Sequence, residues 1–307
     1  MANITAARIN NLQSSIELVL GTGSGQSGYG QNVTSQPVNN TGDVVQADDI
    51  NAIYADILKA RVHQVGTTDI GISEVVENLN VIAEDTSFFV DDDGVTSTDP
   101  DGFEKGFNDF EDVMDQVLVD KAVMHPSQAA LEPAISSVRS STWNGLIYHE
   151  VAATFTSADA RRFFFNTGGE IRLSANNTGA STPKGLDWNQ LCSQVGTIKF
   201  SADATVSTTG GGSSIGNYDL TSAFQNIYQK IGSGTYSAIY AGNIYTVKAR
   251  SDIDTRIIFR IEFNDVVFDN NVDNNVDGRL ESVVQHYRAN GDVTVPAPTY
   301  FNTQSLA

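Results

Sequence analysis

The residues Asp273-Asn274-Asn275-Val276-Asp277-Gly278 put oxygen-bearing side chains on alternate positions and a glycine at the sixth. That spacing lets a calcium loop wrap a hard cation and turn sharply. The twelfth position of the pattern is Val284, where a bidentate carboxylate belongs, and both flanks alternate like strands. The run therefore reads first as a polar hairpin turn, with Asp273, Asn275 and Asp277 as the candidate ligands if it holds a structural calcium. The acidic loops Asp91-Asp92-Asp93-Gly94 and Asp99-Pro100-Asp101-Gly102 carry the same cation question more weakly. No other cofactor is implied.

Three further patterns bear on chemistry. Gly212-Ser213-Ser214-Ile215-Gly216 has the G-x-S-x-G spacing of a nucleophile elbow, which needs a strand before the serine and a base to take its proton. The preceding Thr208-Thr209-Gly210-Gly211 is loop-like, and the only downstream histidine is His286. Gly23-Ser24-Gly25-Gln26-Ser27-Gly28 has the G-x-G-x-x-G spacing of a dinucleotide loop. That loop works only where a strand turns into a helix whose amides meet the pyrophosphate, and here a helical pattern comes first and polar residues follow. The four histidines, His63, His125, His149 and His286, show no metal-ligand spacing. The many carboxylates single out no acid and base pair, so the sequence points to a non-enzymatic protein.

The charge is unevenly placed. The stretch from Asp43 to Asp120 holds 20 acidic residues against Lys59, Arg61 and Lys105, so it carries −17 of the total −19. Such a surface repels phosphate backbones and argues against direct nucleic-acid binding; it reads as a solvated face or as a dock for a basic partner or cations. Cys192 stands alone and reads as a small apolar core residue. No apolar run is long enough for a membrane helix, and Met1-Ala2-Asn3-Ile4-Thr5 does not open like a secretory signal. The expectation is a chain that neither inserts in a membrane nor is exported by that route.

Ile9, Leu12, Ile16 and Val19 fall three and four apart and predict a helix over 4–20. A short amphipathic helix needs something else to bury its stripe. Because residues 21–42 read as a flexible glycine-rich linker, the stripe is a candidate for docking on a neighbouring subunit, although folding back onto its own domain is equally cheap. Residues 46–63 predict a second helix, with Ile50, Ile53, Tyr54, Ile57 and Leu58 on one face, Asp48 and Asp49 in the first turn, and Lys59 and Arg61 in the last. Further helices are predicted over 74–83 and 103–124, before Pro126 and Pro133.

From Thr142 the texture becomes strand-like over 145–155, 171–175, 236–247, 255–263 and 280–288. The last two are expected to pair as a hairpin. Short helices are predicted over 157–166, 186–194 and 221–230. The expected fold class is α+β, with an N-terminal helical region followed by an antiparallel β-sandwich-like domain carrying short inserted helices. Its expected parts are a docking helix and linker (1–45), an acidic helical region (46–141) and a β-rich domain (142–307). Of Phe163, Phe164 and Phe165, two are expected in the core and one against a strand or a partner. Arg161 and Arg162 beside them are candidates to pair with a neighbour's acidic region, with pairing inside the chain as the alternative.

The run Glu150-Val151-Ala152 to Phe155, then Ser157-Ala158-Asp159-Ala160-Arg161-Arg162-Phe163-Phe164-Phe165-Asn166-Thr167-Gly168-Gly169-Glu170-Ile171-Arg172, resembles a segment of virion structural proteins from tailed phages of marine bacteria, especially cyanophages. Trp188-Asn189-Gln190-Leu191, Val195-Gly196-Thr197-Ile198, Ile215-Gly216-Asn217-Tyr218-Asp219-Leu220 and the stretch with Asp277-Gly278 and Tyr287-Arg288 are similar to the same pattern, which covers about half the chain. The resemblance implies a virion part in a tail, neck or fibre attachment, whose partners are other copies of itself and other virion proteins. It supplies no catalytic residues. A capsid decoration protein and a fibre module binding a host-surface receptor or glycan are the alternatives; exposed tyrosines near Tyr236, Tyr240 and Tyr245 would favour the latter.

Overall fold

The stripe of Ile9, Leu12, Ile16 and Val19 does line one face of a helix, α1 (Ala6–Val19), started by the hydroxyl of Thr5, which accepts the Arg8 N–H. In the computed structural model, which describes residues 5–38, 45–72, 74, 107–132, 134–267 and 275–306, all four are buried within the same chain. They pack with α2 (Ala47–Val65) and α3 (Phe107–Val119). Burial of Ile50, Ile53 and Ile57 on α2 and of Phe107, Phe110, Met114 and Val117 on α3 builds, among the described residues, a core shared by these helices. The stripe is therefore consumed inside its own domain, and the expectation that it docks on a partner is corrected: two other amphipathic helices of the same chain offer it apolar faces.

The flexible linker is corrected as well. Residues 20–38 run as an ordered strap along the helices. Tyr29 N–H donates to Val19 O (2.7 Å) and Gln31 N–H to Leu20 O (2.9 Å). The buried Tyr29 hydroxyl donates to Lys121 O (2.7 Å) and accepts from Gln64 Nε2 (3.1 Å). The carboxylate of Asp56 accepts Thr34 N–H, the Thr34 hydroxyl and Ser35 N–H at 2.8 to 3.1 Å. The glycines serve a tight reversal: Gly28 has φ +98°, and a Cβ there would meet Thr22 O at 2.3 Å.

The described chain divides into two units. Met1–Ala129 with Ala289–Val295 forms the first, and Ala130–Arg288 with Pro296–Ala307 the second. The N-terminal helix and the acidic helices thus share one unit, and the boundary falls at 129/130 where 141/142 was expected. The late return of residues 289–295 to the first unit has no periodic signal. It is held by Asn290 N–H and Asp292 N–H donating to Gln128, and by Gln31 Nε2 donating to Thr294 O.

The second unit contains, in chain order, β1 (Ala129–Leu131), β2 (Ile135–Arg139), β3 (Gly145–Thr154), α4 (Ala158–Asn166), β4 (Glu170–Thr178), α5 (Pro183–Val195), β5 (Ile198–Phe200), β6 (Thr205–Ser207), β7 (Gly212–Ser213), β8 (Gln225–Ile231), β9 (Ile244–Ile253), β10 (Arg256–Asp265), β11 (Arg279–Ala289) and β12 (Thr299–Gln304). One sheet has the order β1-β11-β4-β5-β6-β7, with β2 also on β11; the other runs β12-β3-β10-β9-β8. The described pairings are antiparallel, so the class is α+β as expected. The inner face of β10, Ile257, Phe259, Ile261 and Phe263, is fully buried, while Arg260 and Glu262 face outward. The Phe259 ring lies 5.1 Å from Phe200 of the other sheet, within a cluster that includes Phe155, Phe164 and Phe165. Phe163 stays half-buried beneath the Arg162 guanidinium.

Several expectations change. The runs 255–263 and 280–288 are strands but do not pair with each other: β10 lies between β3 and β9, and β11 is in the other sheet. Residues 225–231 form a strand where a helix was predicted, because a register shift between Asn226 and Tyr228 lets adjacent Ile227 and Tyr228 both be buried. Over 236–247 the strand starts only at Ile244, after a 3₁₀ turn that buries Tyr240. The helix predicted over 103–124 spans Phe107–Val119 among the described residues, and most of 74–83 lies outside them.

Candidate functional site

Asn302 on β12 donates Nδ2–H to Ser136 O (3.1 Å), which orients its Oδ1 to accept from His149 Nε2 at 2.9 Å. His149, on β3 and fully buried, therefore carries its proton on Nε2. Its Nδ1 accepts the hydroxyl of Ser282 on β11 at 3.0 Å. One chain of polar groups thus joins the two sheets through their apolar interior. Burial holds the His149 imidazole below its ordinary pKa, against the opposing pull of the Asn302 bond.

Ser282, Val284 and His286 share the inner face of β11. The His286 ring lies 5.6 Å from Tyr300 and 6.1 Å from Phe164, and neither ring nitrogen finds a hydrogen-bond partner among the described residues. Burial lowers its pKa to about 4; Glu132 pulls the other way and Arg288 adds to the drop. An imidazole so placed stays neutral at pH 7.

The supposed nucleophile is far from it. The nucleophile position of that pattern is Ser214, the residue that follows β7, and β4, β5 and β6 separate that strand from β11. Four strand spacings amount to roughly 19 Å, so the two cannot exchange a proton directly. The Gly23–Gly28 turn lies within the strap, away from any strand-to-helix turn.

The two arginines chosen as docking residues are engaged within the chain. Arg161 is buried; its Nε donates to Asn217 Oδ1 (2.7 Å) and its Nη1 to Ser251 Oγ (2.6 Å) and Asp254 O (3.2 Å). It fastens α4 to the 217–219 turn and to the β9–β10 turn. Arg162 pairs with Asp159 at 3.0 Å and stacks on Phe163.

Of the calcium candidates, Asp273 lies outside the described residues and Asn275 is exposed. Asp277 faces the start of α5. Its carboxylate accepts Ser181 N–H and Oγ–H, both at 2.8 Å, and Thr182 Oγ–H at 2.6 Å. Burial raises its pKa, but these bonds together outweigh burial and hold the carboxyl below its usual range. Gly185 is required by this arrangement, since a Cβ would stand 1.9 Å from Asp277 Oδ1. Among the described residues no group of three or more His, Cys, Asp or Glu stands close enough to hold a metal.

The sequence reading missed a buried ion pair. Lys184 Nζ lies 2.7 Å from Asp265 Oδ2 and donates to Val267 O at 2.8 Å, and neither charged side chain is exposed. Burial raises the Asp265 pKa, with Lys184 partly restoring it. The available signal was a lysine in the first turn of a helix, where the dipole disfavours a cation. Asp187, one turn on, is also buried and accepts Tyr236 N–H at 3.2 Å. Tyr240 and Tyr245 are buried and only Tyr236 is exposed, which removes two of the three tyrosines a glycan surface would use.

Comparison with known proteins finds no matching family model, no matching curated protein and no matching solved structure. Among the described residues no helix is long and apolar enough to cross a membrane.

Proposed function

We propose that the chain is a non-enzymatic structural subunit of a tailed-phage virion, in the tail, neck or fibre attachment, assembling through contacts with its own copies and with other virion proteins. The observation that carries this reading is the use made of the reactive side chains. His149 bridges two sheets, Arg161 locks a helix to two turns, Asp277 holds the start of α5, and Lys184 neutralises Asp265 in the interior. Each is a fastening within the scaffold, and the serine hydroxyl that meets His149, that of Ser282, is fully buried with it. The resemblance in residues 150–220 supplies the virion context, and repetition by symmetry is the ordinary way such a subunit works.

The test is antibody labelling of purified tailed particles from cells that carry the gene, together with mass spectrometry of those particles. The expected result is the chain in stoichiometric amounts with label at the tail or neck. A chain found only free of particles, or a purified monomer that turns over a substrate, overturns the reading.

A further inference from the structure

The chain leaves β11, is held in the first unit over Ala289–Val295, passes through Pro296-Ala297-Pro298, and ends as β12 in the second unit. Among the described residues β12 stands at the end of its sheet, hydrogen-bonded along β3, and it also touches β2. Thr299, Phe301, Thr303 and Gln304 are exposed. The covalent link from β12 back to its sheet runs through a hinge whose two prolines hold extended backbone and donate no N–H.

The seat it fills is sequence-specific. Tyr300 packs on His286, Asn302 bonds both His149 and Ser136, and Thr303 Oγ–H donates to Glu150 Oε1 at 2.9 Å. Leu306 is buried, with its N–H given to Ser137 Oγ (2.9 Å) and its C=O accepting Arg139 Nη1 (2.8 Å). Main-chain pairing along β3 would accept any extended peptide; the seats for residues 300, 302 and 306 select this one. The segment that matches them is residues 299–306 of another copy.

We infer that β12 is an exchangeable strand, so that in the assembled protein residues 299–306 of a second copy occupy the groove along β3. The inference rests on the reading of the chain as a repeated subunit. Closed and exchanged forms make the same contacts, so the choice falls to hinge geometry and local concentration. Neighbours held side by side in an array reach an effective concentration on the order of millimolar, comparable to that of a tethered strand.

The experiment refolds the full-length chain from urea with an excess of a fluorescein-labelled peptide spanning residues 296–307, and reads anisotropy and hydrogen exchange. Expected are incorporation near one peptide per chain, and loss of protection in the chain's own residues 299–306 while β3 and β10 stay protected. The Tyr300→Ala and Asn302→Ala peptides are expected to bind at least roughly tenfold more weakly, about 1.4 kcal/mol each. No incorporation, or incorporation indifferent to both substitutions, overturns the inference. Because this is read on the isolated chain, it stands or falls apart from particle labelling: incorporation without any place in a particle would sink the virion reading alone.

Discussion

Lys184 and Asp265 meet at 2.7 Å with no exposed side-chain surface on either, one from the first turn of α5 and the other from the end of β10. Desolvating two charges costs nearly what their attraction returns, so the pair is a weak source of net stability but a severe liability if one partner is lost. Lys184→Met is expected to destabilise by about 3–5 kcal/mol. Adding Asp265→Leu should recover most of that loss. Urea unfolding of the three variants checks it, and a double variant as unstable as the single one contradicts it.

The buried histidines make the second unit acid-sensitive. Folding lowers the His286 pKa from 6.5 to about 4, and that of His149 in the same direction. The unfolded chain therefore binds more protons between these values, so stability is complete above about pH 6.5 and is lost as pH falls towards 4. Asp187 and Asp265, whose pKa values burial raises, act in the opposite sense at the acid end. Comparison within one background separates them: His286→Phe, which suits the site between Phe164 and Tyr300, should flatten the fall in melting temperature from pH 7 to 4.5. An unchanged slope would show that His286 does not carry the effect.

Asp56 fastens the strap to α2 through Thr34 and Ser35. Asp56→Ala leaves buried donors without an acceptor and is expected to cost about 1–3 kcal/mol. It should also open residues 30–38 to limited proteolysis, at a rate the native chain does not show. Deleting residues 1–22 removes α1, whose Ile9, Leu12, Ile16 and Val19 are buried, so it should unfold the first unit rather than leave it intact.

Asp277 separates a structural carboxylate from a calcium ligand. Asp277→Asn weakens the bonds to Ser181 and Thr182, and its melting temperature is expected to fall equally with calcium and with chelator. A drop seen only in calcium would return the turn to metal binding. Gly185→Ala, which drives a methyl group into the same carboxylate, should destabilise the unit by at least about 1 kcal/mol.

The sequence by itself determined which segments are helices or strands wherever period and caps agree. α1, α2 and α4 carry their stripes and starting residues within one or two turns: the hydroxyls of Thr5 and Ser157 cap the adjacent backbone, and Asp49 accepts the N–H of Gln46. The alternation of β10 and β11 likewise assigns each residue to a face. It does not name the neighbouring strand, because inward residues every second position suit any partner of matching length; the expected hairpin became two strands in different sheets. Composition also misread the glycine-rich strap, since nothing near Thr34 signals that Asp56 will accept its donors. The polar fastenings lie further from local reach: His149 meets Asn302 across 153 positions and Ser282 across 133. Only the tertiary structure decided these, because a hydrogen bond between distant residues depends on how the intervening chain is folded back, and local pattern carries no record of that path.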